Sequence, residues 1–155
     1  MTARRAGLLR RSVHWGLMLR RALTLGVRGL VEDDDGRVLL VRHTYVRGWH
    51  FPGGGVEANE TAAAALAREV HEEAAVRLTA PPVLAGAYFN RRLNGRDHVL
   101  LFRCPGWRAE GAFRPGMEIA EARFFGLAEM PPDLSLGTRR RIAEFYEGAD
   151  ISPEW

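Results

Sequence analysis

The stretch that most constrains this chain is GWHFPGGGVEANETAAAALAREVHEEAAV, Gly48 to Val76. Three glycines follow a proline, and a helix-like run then ends in Glu69, Glu72 and Glu73. Successive helical residues turn by about 100°, so carboxylates three and four apart share one face. With Leu66 as reference, Val70 lies about 40° to one side and Glu73 about 20° to the other. The carboxylates therefore sit at the edge of the buried stripe. Like charges held this close raise one another's pKa values. A hard divalent cation resolves that conflict, because Mg²⁺ and Mn²⁺ favour oxygen ligands. Pro52 fixes the entry to the turn. Gly53, Gly54 and Gly55 can adopt positive φ and leave room for backbone groups to approach a metal or a phosphate. Glu60 and Arg68 flank the first part of the helix, where Arg68 can hydrogen-bond carboxylates and hold them.

The spacing is also a motif. Gly54, five residues, Glu60, seven residues, Arg68, Glu69, Val70, then Glu72, Glu73 and Val76 reproduce the box of the Nudix hydrolases, which this sequence resembles. The family's usual glycine before the last aliphatic is Ala75 here, a change that costs about 1 kcal/mol if the position needs positive φ. GWHFPGG resembles the family's lead-in to the box, and EIAEARFFGLAEMP the strand and loop that follow its second acidic site, so the likeness spans most of 22–147. The resemblance implies an α/β fold, a Nudix-type α/β/α sandwich with a mixed sheet between helices. It implies a metal-dependent hydrolase in which water attacks phosphorus and breaks a pyrophosphate bond in a nucleoside diphosphate derivative. A nucleotide sugar such as ADP-ribose and a nucleoside triphosphate are the favoured substrates. An RNA 5′-end pyrophosphohydrolase and a catalytically silent nucleotide-binding module are the alternatives.

By the same resemblance, Glu69, Glu72, Glu73 and the Gly53 carbonyl would hold Mg²⁺ or Mn²⁺, with Glu60 and Arg68 orienting them. Glu72, Glu73, Arg68 and Glu121 would serve catalysis. Glu121 is preferred over Glu118 as a base outside the box, and Glu118 is kept as a substrate contact. Arg47, Trp49, Tyr88 and Arg91 are further substrate candidates, since aromatic rings can stack a base and arginines can grip phosphate. His50 and His71 are not read as zinc ligands; HEEAA lacks the second His of His-Glu-x-x-His, and His71 points away from the glutamate face as an exposed helix residue.

Around this unit the chain reads as one domain. Strands are expected at 22–32, 37–43, 83–90 and 98–104 and over AEARFFGL, with helices at 61–74 and over TRRRIAEFYEG. DDDG at 33–36 is a turn between strands, and Asn94-Gly95 a hairpin signal. In the last helix Thr138 is expected as the cap, Gly148 as the stop, and Ile142, Phe145 and Tyr146 as the apolar face. All 22 basic residues are arginine, which excludes a Walker phosphate loop with its lysine. The single Cys104 rules out an internal disulfide and suits a cytoplasmic setting. Residues 1–21 are a basic segment expected to be helical, set before a Nudix domain at 22–155. WGLML, interrupted by Arg20 and Arg21, is too short for a signal peptide, and no run reaches a membrane span. The expected partner is a small nucleotide. Nucleic acid is the lesser reading of the arginine-rich start, and a homodimer through a strand edge or that segment stays open.

Overall fold

The computed structural model describes residues 23–93 and 95–155. The expected basic helix at 1–21 and Asn94 lie outside the described residues. Among the described residues eight strands are present: β1 Thr24–Val31, β2 Val38–His43, β3 Trp49–His50, β4 Val76–Leu78, β5 Val83–Asn90, β6 Asp97–Cys104, β7 Trp107–Ala109 and β8 Ile119–Phe125. Among the same residues they are accompanied by two helices, α1 Ala62–Ala74 and α2 Leu136–Tyr146, and a 3₁₀ turn at Leu127–Glu129.

The strands form one mixed sheet, β1-β6-β5, one antiparallel sheet, β3-β2-β8, and a β4-β7 ribbon. β1 runs parallel to β6, and β5 antiparallel to it. The DDDG turn thus does not close a ladder between its flanking strands. It passes the chain from one sheet to the other, and a lone bridge, Glu32 to Val38, links the two sides. The β5–β6 pairing begins at Asn90 opposite Asp97, so the hairpin's connection is longer than the Asn-Gly pair alone.

Apolar runs in β1, β2 and β6 divide by alternation between two cores, the pattern of strands buried on both faces. Val27, Val31, Leu39, Val41, Phe102 and Cys104 pack with Ala65, Leu66, Val70 and Ala74 of α1. Leu30, Val38, Leu40 and Leu101 pack with Trp49, Phe51, Tyr88, Phe125 and Ile142 of α2. Phe145 and Tyr146 join that second core as expected. The capping of α2 differs from expectation. Ser135 is the N-cap, its Oγ accepting from the Thr138 amide, because the helix starts before Thr138. Thr138 is buried instead, and its hydroxyl accepts from the Phe51 amide at 3.3 Å. Through that bond α2 touches the start of the glycine turn.

Candidate active site

α1 begins at Thr61, whose side chain accepts from the Ala64 amide, and ends at Ala75 in the left-handed region (φ 53°, ψ 36°). That is the conformation a glycine adopts most cheaply, so the alanine is accommodated at the helix exit and not avoided. Between these caps Leu66 and Val70 enter the core and carry Glu73 with them. The Glu73 side chain is only 10% exposed, whereas that of Glu72 is 58% exposed. Three carboxylates that look equivalent in sequence are thereby separated. Glu73 Oε2 accepts the Gly53 N–H at 2.7 Å, and its Oε1 lies 3.6 Å from His43 Nε2. Burial pushes the Glu73 carboxyl up to about 7, against the opposing pull of the Gly53 amide and Arg28. Glu69 accepts from Arg68 at 2.8 Å. Glu72 reaches Arg68 at 3.4 Å on the open side.

Arg68 joins the residues of this unit by hydrogen bonds. It donates to Glu60 at 2.9 Å, to Glu69, and to the Gly55 carbonyl at 3.2 Å, tying helix and turn together. The hydrogen bond from Arg68 is the main reason that the Glu60 carboxyl lies below its usual value.

The turn itself is stitched along β1. Gly29 donates to the Pro52 carbonyl, Val27 to that of Gly54, and Val56 donates to Leu25. Gly53 has φ 140°, and a Cβ there would strike the Val27 backbone. A Cβ at Gly54 would strike the Glu69 carboxylate. Gly53 is thus required by its positive φ and its close approach to backbone, whereas a side chain at Gly54 would displace the Glu69 carboxylate. The turn also rests on Arg28, which sequence reasoning missed. Its Nη1 donates to the Phe51 carbonyl at 2.9 Å and to the Gly53 carbonyl at 2.5 Å. Burial pulls this guanidinium below its usual pKa, while the charges of Glu73 and Glu69 push it back up. The one signal for it in the sequence is an arginine inside an otherwise apolar strand.

Arg28, Gly53–Gly55, Glu69, Glu73, His43, His50, Tyr45 and Glu118 surround a cavity of about 380 Å³. The two imidazoles are held neutral, chiefly by burial. His43 is lowered, and His50 is lowered to about 4, with Arg28 adding to both. Glu118 enters this cavity and Glu121 does not. Glu121 pairs with Arg42, its register partner across β2 and β8. The preference for Glu121 as the base outside the box is corrected by this placement.

The aromatic candidates are corrected too. Trp49 is buried in the α2-side core, edge-on to Phe125 at 4.8 Å, because β3 turns it inward beside β2. Tyr88 is buried beneath Arg141 and Trp155. Neither ring is open to a base. Arg91 pairs with Glu154 at 2.8 Å away from the cavity. Arg47 lines a second cavity of about 640 Å³, which also includes His43, Tyr45 and Val46. His71 is on the exposed side of α1, near Glu110, as expected.

The donor set suits a hard divalent ion: carboxylate oxygens of Glu69, Glu73 and Glu118 around one cavity, with a desolvated carboxylate among them. Among the described residues no three carboxylate, imidazole or thiol groups close on one point. The Gly53 carbonyl, a candidate ligand by resemblance, is occupied by Arg28.

The family model described as the NUDIX domain matches residues 22–146. A MutT-like protein of Streptomyces ambofaciens is 33% identical over 124 residues, 79% of this chain and 71% of that protein. An RNA pyrophosphohydrolase of Halorhodospira halophila is 57% identical, but over 44 residues, 28% of this chain and 24% of that one. In three dimensions the chain superimposes on a MutT NUDIX hydrolase from Burkholderia pseudomallei with a TM-score of 0.68, at 22% identity, covering 80% of this chain and 98% of the other.

Proposed function

The chain belongs to the Nudix hydrolase family, and on that premise we propose that it hydrolyses a pyrophosphate bond in a nucleoside diphosphate derivative, using Mg²⁺ or Mn²⁺. The observation that carries this reading is Glu73: a carboxylate buried on a helix, fixed by the Gly53 amide, and facing a cavity with Glu69 beside it. Glu69 and Glu73 would hold the ion, and Glu72, on the solvent side, would reach it through water. When bound, such an ion neutralises phosphate charge and lowers the pKa of the attacking water.

The chain's own groups do the rest. Arg68 and Glu60 keep Glu69 and the turn in place. Arg28 anchors the turn and adds positive charge where a diphosphate would lie. Glu118 would take the proton of the attacking water at its carboxylate; among the described residues it is the acid outside α1 that lines the cavity. Water oxygen bonds to phosphorus, and the bridging P–O bond breaks with its electron pair going to the leaving phosphate. All the box carboxylates are present, which weighs against a silent module. Cys104, buried and with its thiol pushed up to about 12, is an inert core residue in keeping with the cytoplasm as the proposed compartment. Among the described residues no helix is long and apolar enough to cross a membrane.

The test is turnover of ADP-ribose, nucleoside triphosphates and 5′-triphosphorylated RNA with each metal, wild type against Glu73→Gln. Cleavage lowered by about 10³-fold or more in a variant that melts normally is expected, the scale of a lost electrostatic contact to the transition state. A fully active variant overturns the assignment. Turnover of RNA ends alone moves the reading to RNA processing.

A further inference from the structure

Gly53 has no side chain to anchor it, yet its amide fixes the Glu73 carboxylate at 2.7 Å. Its alignment has to come from its neighbours. Pro52 has a fixed φ, so the backbone of Phe51 sets how the turn begins. Phe51 is held by ring and backbone alike. Its ring is fully buried in the α2-side core. Its carbonyl accepts from Arg28 Nη1 at 2.9 Å, and the same nitrogen reaches the Gly53 carbonyl at 2.5 Å. Its N–H lies past the β2–β3 pairing, which ends at His50, and donates to Thr138 Oγ1 at 3.3 Å. The ring sets where Phe51 sits, and the hydrogen bonds set how its backbone is turned.

Thr138 belongs to a seam between the approach to the turn and the start of α2. Trp49 donates to the Asp133 carbonyl at 3.0 Å, and Ser135 donates to the Trp49 carbonyl at 2.9 Å. Gly48, at φ 90°, permits that closeness, since a Cβ there would strike the Asp133 carbonyl. Those bonds run from backbone to backbone and need no particular side chain. The contact to Phe51 needs a hydroxyl at position 138. Capping does not account for that hydroxyl, because Ser135 caps the helix. The Thr138 side chain is fully buried, and its Oγ1 also accepts from Ser135 Oγ at 2.8 Å. A polar group carried into a core costs free energy unless it is bonded.

Without the hydroxyl, the buried Phe51 amide loses its acceptor, and the cost persists until the backbone turns to find another. Such a turn would carry the Phe51 carbonyl off Arg28 and swing the Gly53 N–H away from Glu73. We infer that Thr138 is a positioning residue for the catalytic unit: through the Phe51 backbone it holds the Gly53 amide where it fixes the Glu73 carboxylate. Helix α2, across the sheets from α1, thereby takes part in aligning a metal ligand. This rests on Glu73 as a metal ligand, as proposed above.

The experiment titrates Mn²⁺ into wild type, Thr138→Val, Thr138→Ser and Ile142→Ala, reading free Mn²⁺ by electron paramagnetic resonance. Steady-state kinetics on ADP-ribose and ATP follow. Thr138→Val should bind Mn²⁺ about tenfold more weakly, the scale on which partners of metal ligands act. On whichever nucleotide is turned over, kcat should fall by a similar factor with KM for the nucleotide little changed. Thr138→Ser keeps the hydroxyl and should recover most of both. Ile142→Ala, one turn along the same helix and in the same core, should lower the melting temperature yet leave Mn²⁺ affinity unchanged. Should Thr138→Val fail to fold, Thr138→Ala takes its place in the same comparison. Wild-type Mn²⁺ affinity in a folded Thr138→Val, or an equal loss in Ile142→Ala, overturns the inference while leaving the hydrolase reading intact. A wild type that binds no Mn²⁺ overturns both.

Discussion

The charges beneath α2 and those beside α1 lie on opposite sides of the sheets and are built in opposite ways. Beneath α2, Arg141 and Glu144 pair directly, with side chains 0% and 4% exposed. The guanidinium also stands over the faces of Tyr88 and Trp155, at 3.7 and 5.6 Å from the ring centroids. Beside α1, Arg28 donates to backbone carbonyls, while Glu73 takes its hydrogen bond from a backbone amide. The charges attract across the site but are held apart, and a cavity lies among them. The contrast separates structure from chemistry. The Arg141–Glu144 pair, buried and in direct contact, largely neutralises itself. Charges spaced by peptide groups keep a field that an ion and a diphosphate can complete.

Breaking the α2-side pair should produce the largest effect. Arg141→Met strands a buried carboxylate and should destabilise the fold by roughly 3–5 kcal/mol in urea titrations. Adding Glu144→Leu should recover most of the loss. A single variant as stable as wild type would remove the distinction between the two regions.

On the other side, the metal-free protein should show the cost of keeping Glu73 desolvated. Its carboxyl rises from 4.5 to about 7 in the folded state, so between those values the folded chain binds more protons than the unfolded one. Stability should therefore fall as pH rises from about 4.5 to 7, by at most about 3 kcal/mol, and stay low above that. Glu73→Gln should flatten this slope and melt higher than wild type at pH 8. Identical melting profiles in chelator would show that Glu73 is not carried at an energetic cost.

Arg28→Met sharpens the comparison from the cationic side. It removes the clamp on Phe51 and Gly53, and kcat/KM should drop by about 10–100-fold, a loss of roughly 1.4–2.7 kcal/mol of transition-state stabilisation. Urea midpoints should move far less than for Arg141→Met. If stability falls as much as activity, Arg28 is a structural charge like Arg141. The smallest effect is expected at the helix exit. Ala75→Gly should be neutral or stabilising by up to about 1 kcal/mol, because Ala75 already has φ 53°. A clear loss of melting temperature would contradict that conformation.

How much of this was legible beforehand follows the range of the interactions. The box residues from Gly54 to Val76 lie within a turn and one helix, so spacing alone put Glu69, Glu73 and Arg68 on adjoining faces. Strand periods likewise marked β1, β2, β5, β6 and β8. The short strands β3, β4 and β7 carry too few residues for a period to show. Trp49 and Tyr88 stand as substrate candidates in the sequence because an aromatic ring has the same local pattern whether a neighbouring sheet covers it or not.

The sequence by itself determined the family, the carboxylate helix and the need for small residues under it, because those depend on the 3.6-residue turn and on backbone sterics. Tertiary structure alone decided which acids line the cavity and what surrounds them. Arg28 comes from β1, His43 from β2 and Glu118 from the residue before β8, and only the crossing of the chain between two sheets brings them to Glu73. Desolvation is a property of that assembled cavity, so the difference between Glu72 in solvent and Glu73 near neutrality could arise nowhere else.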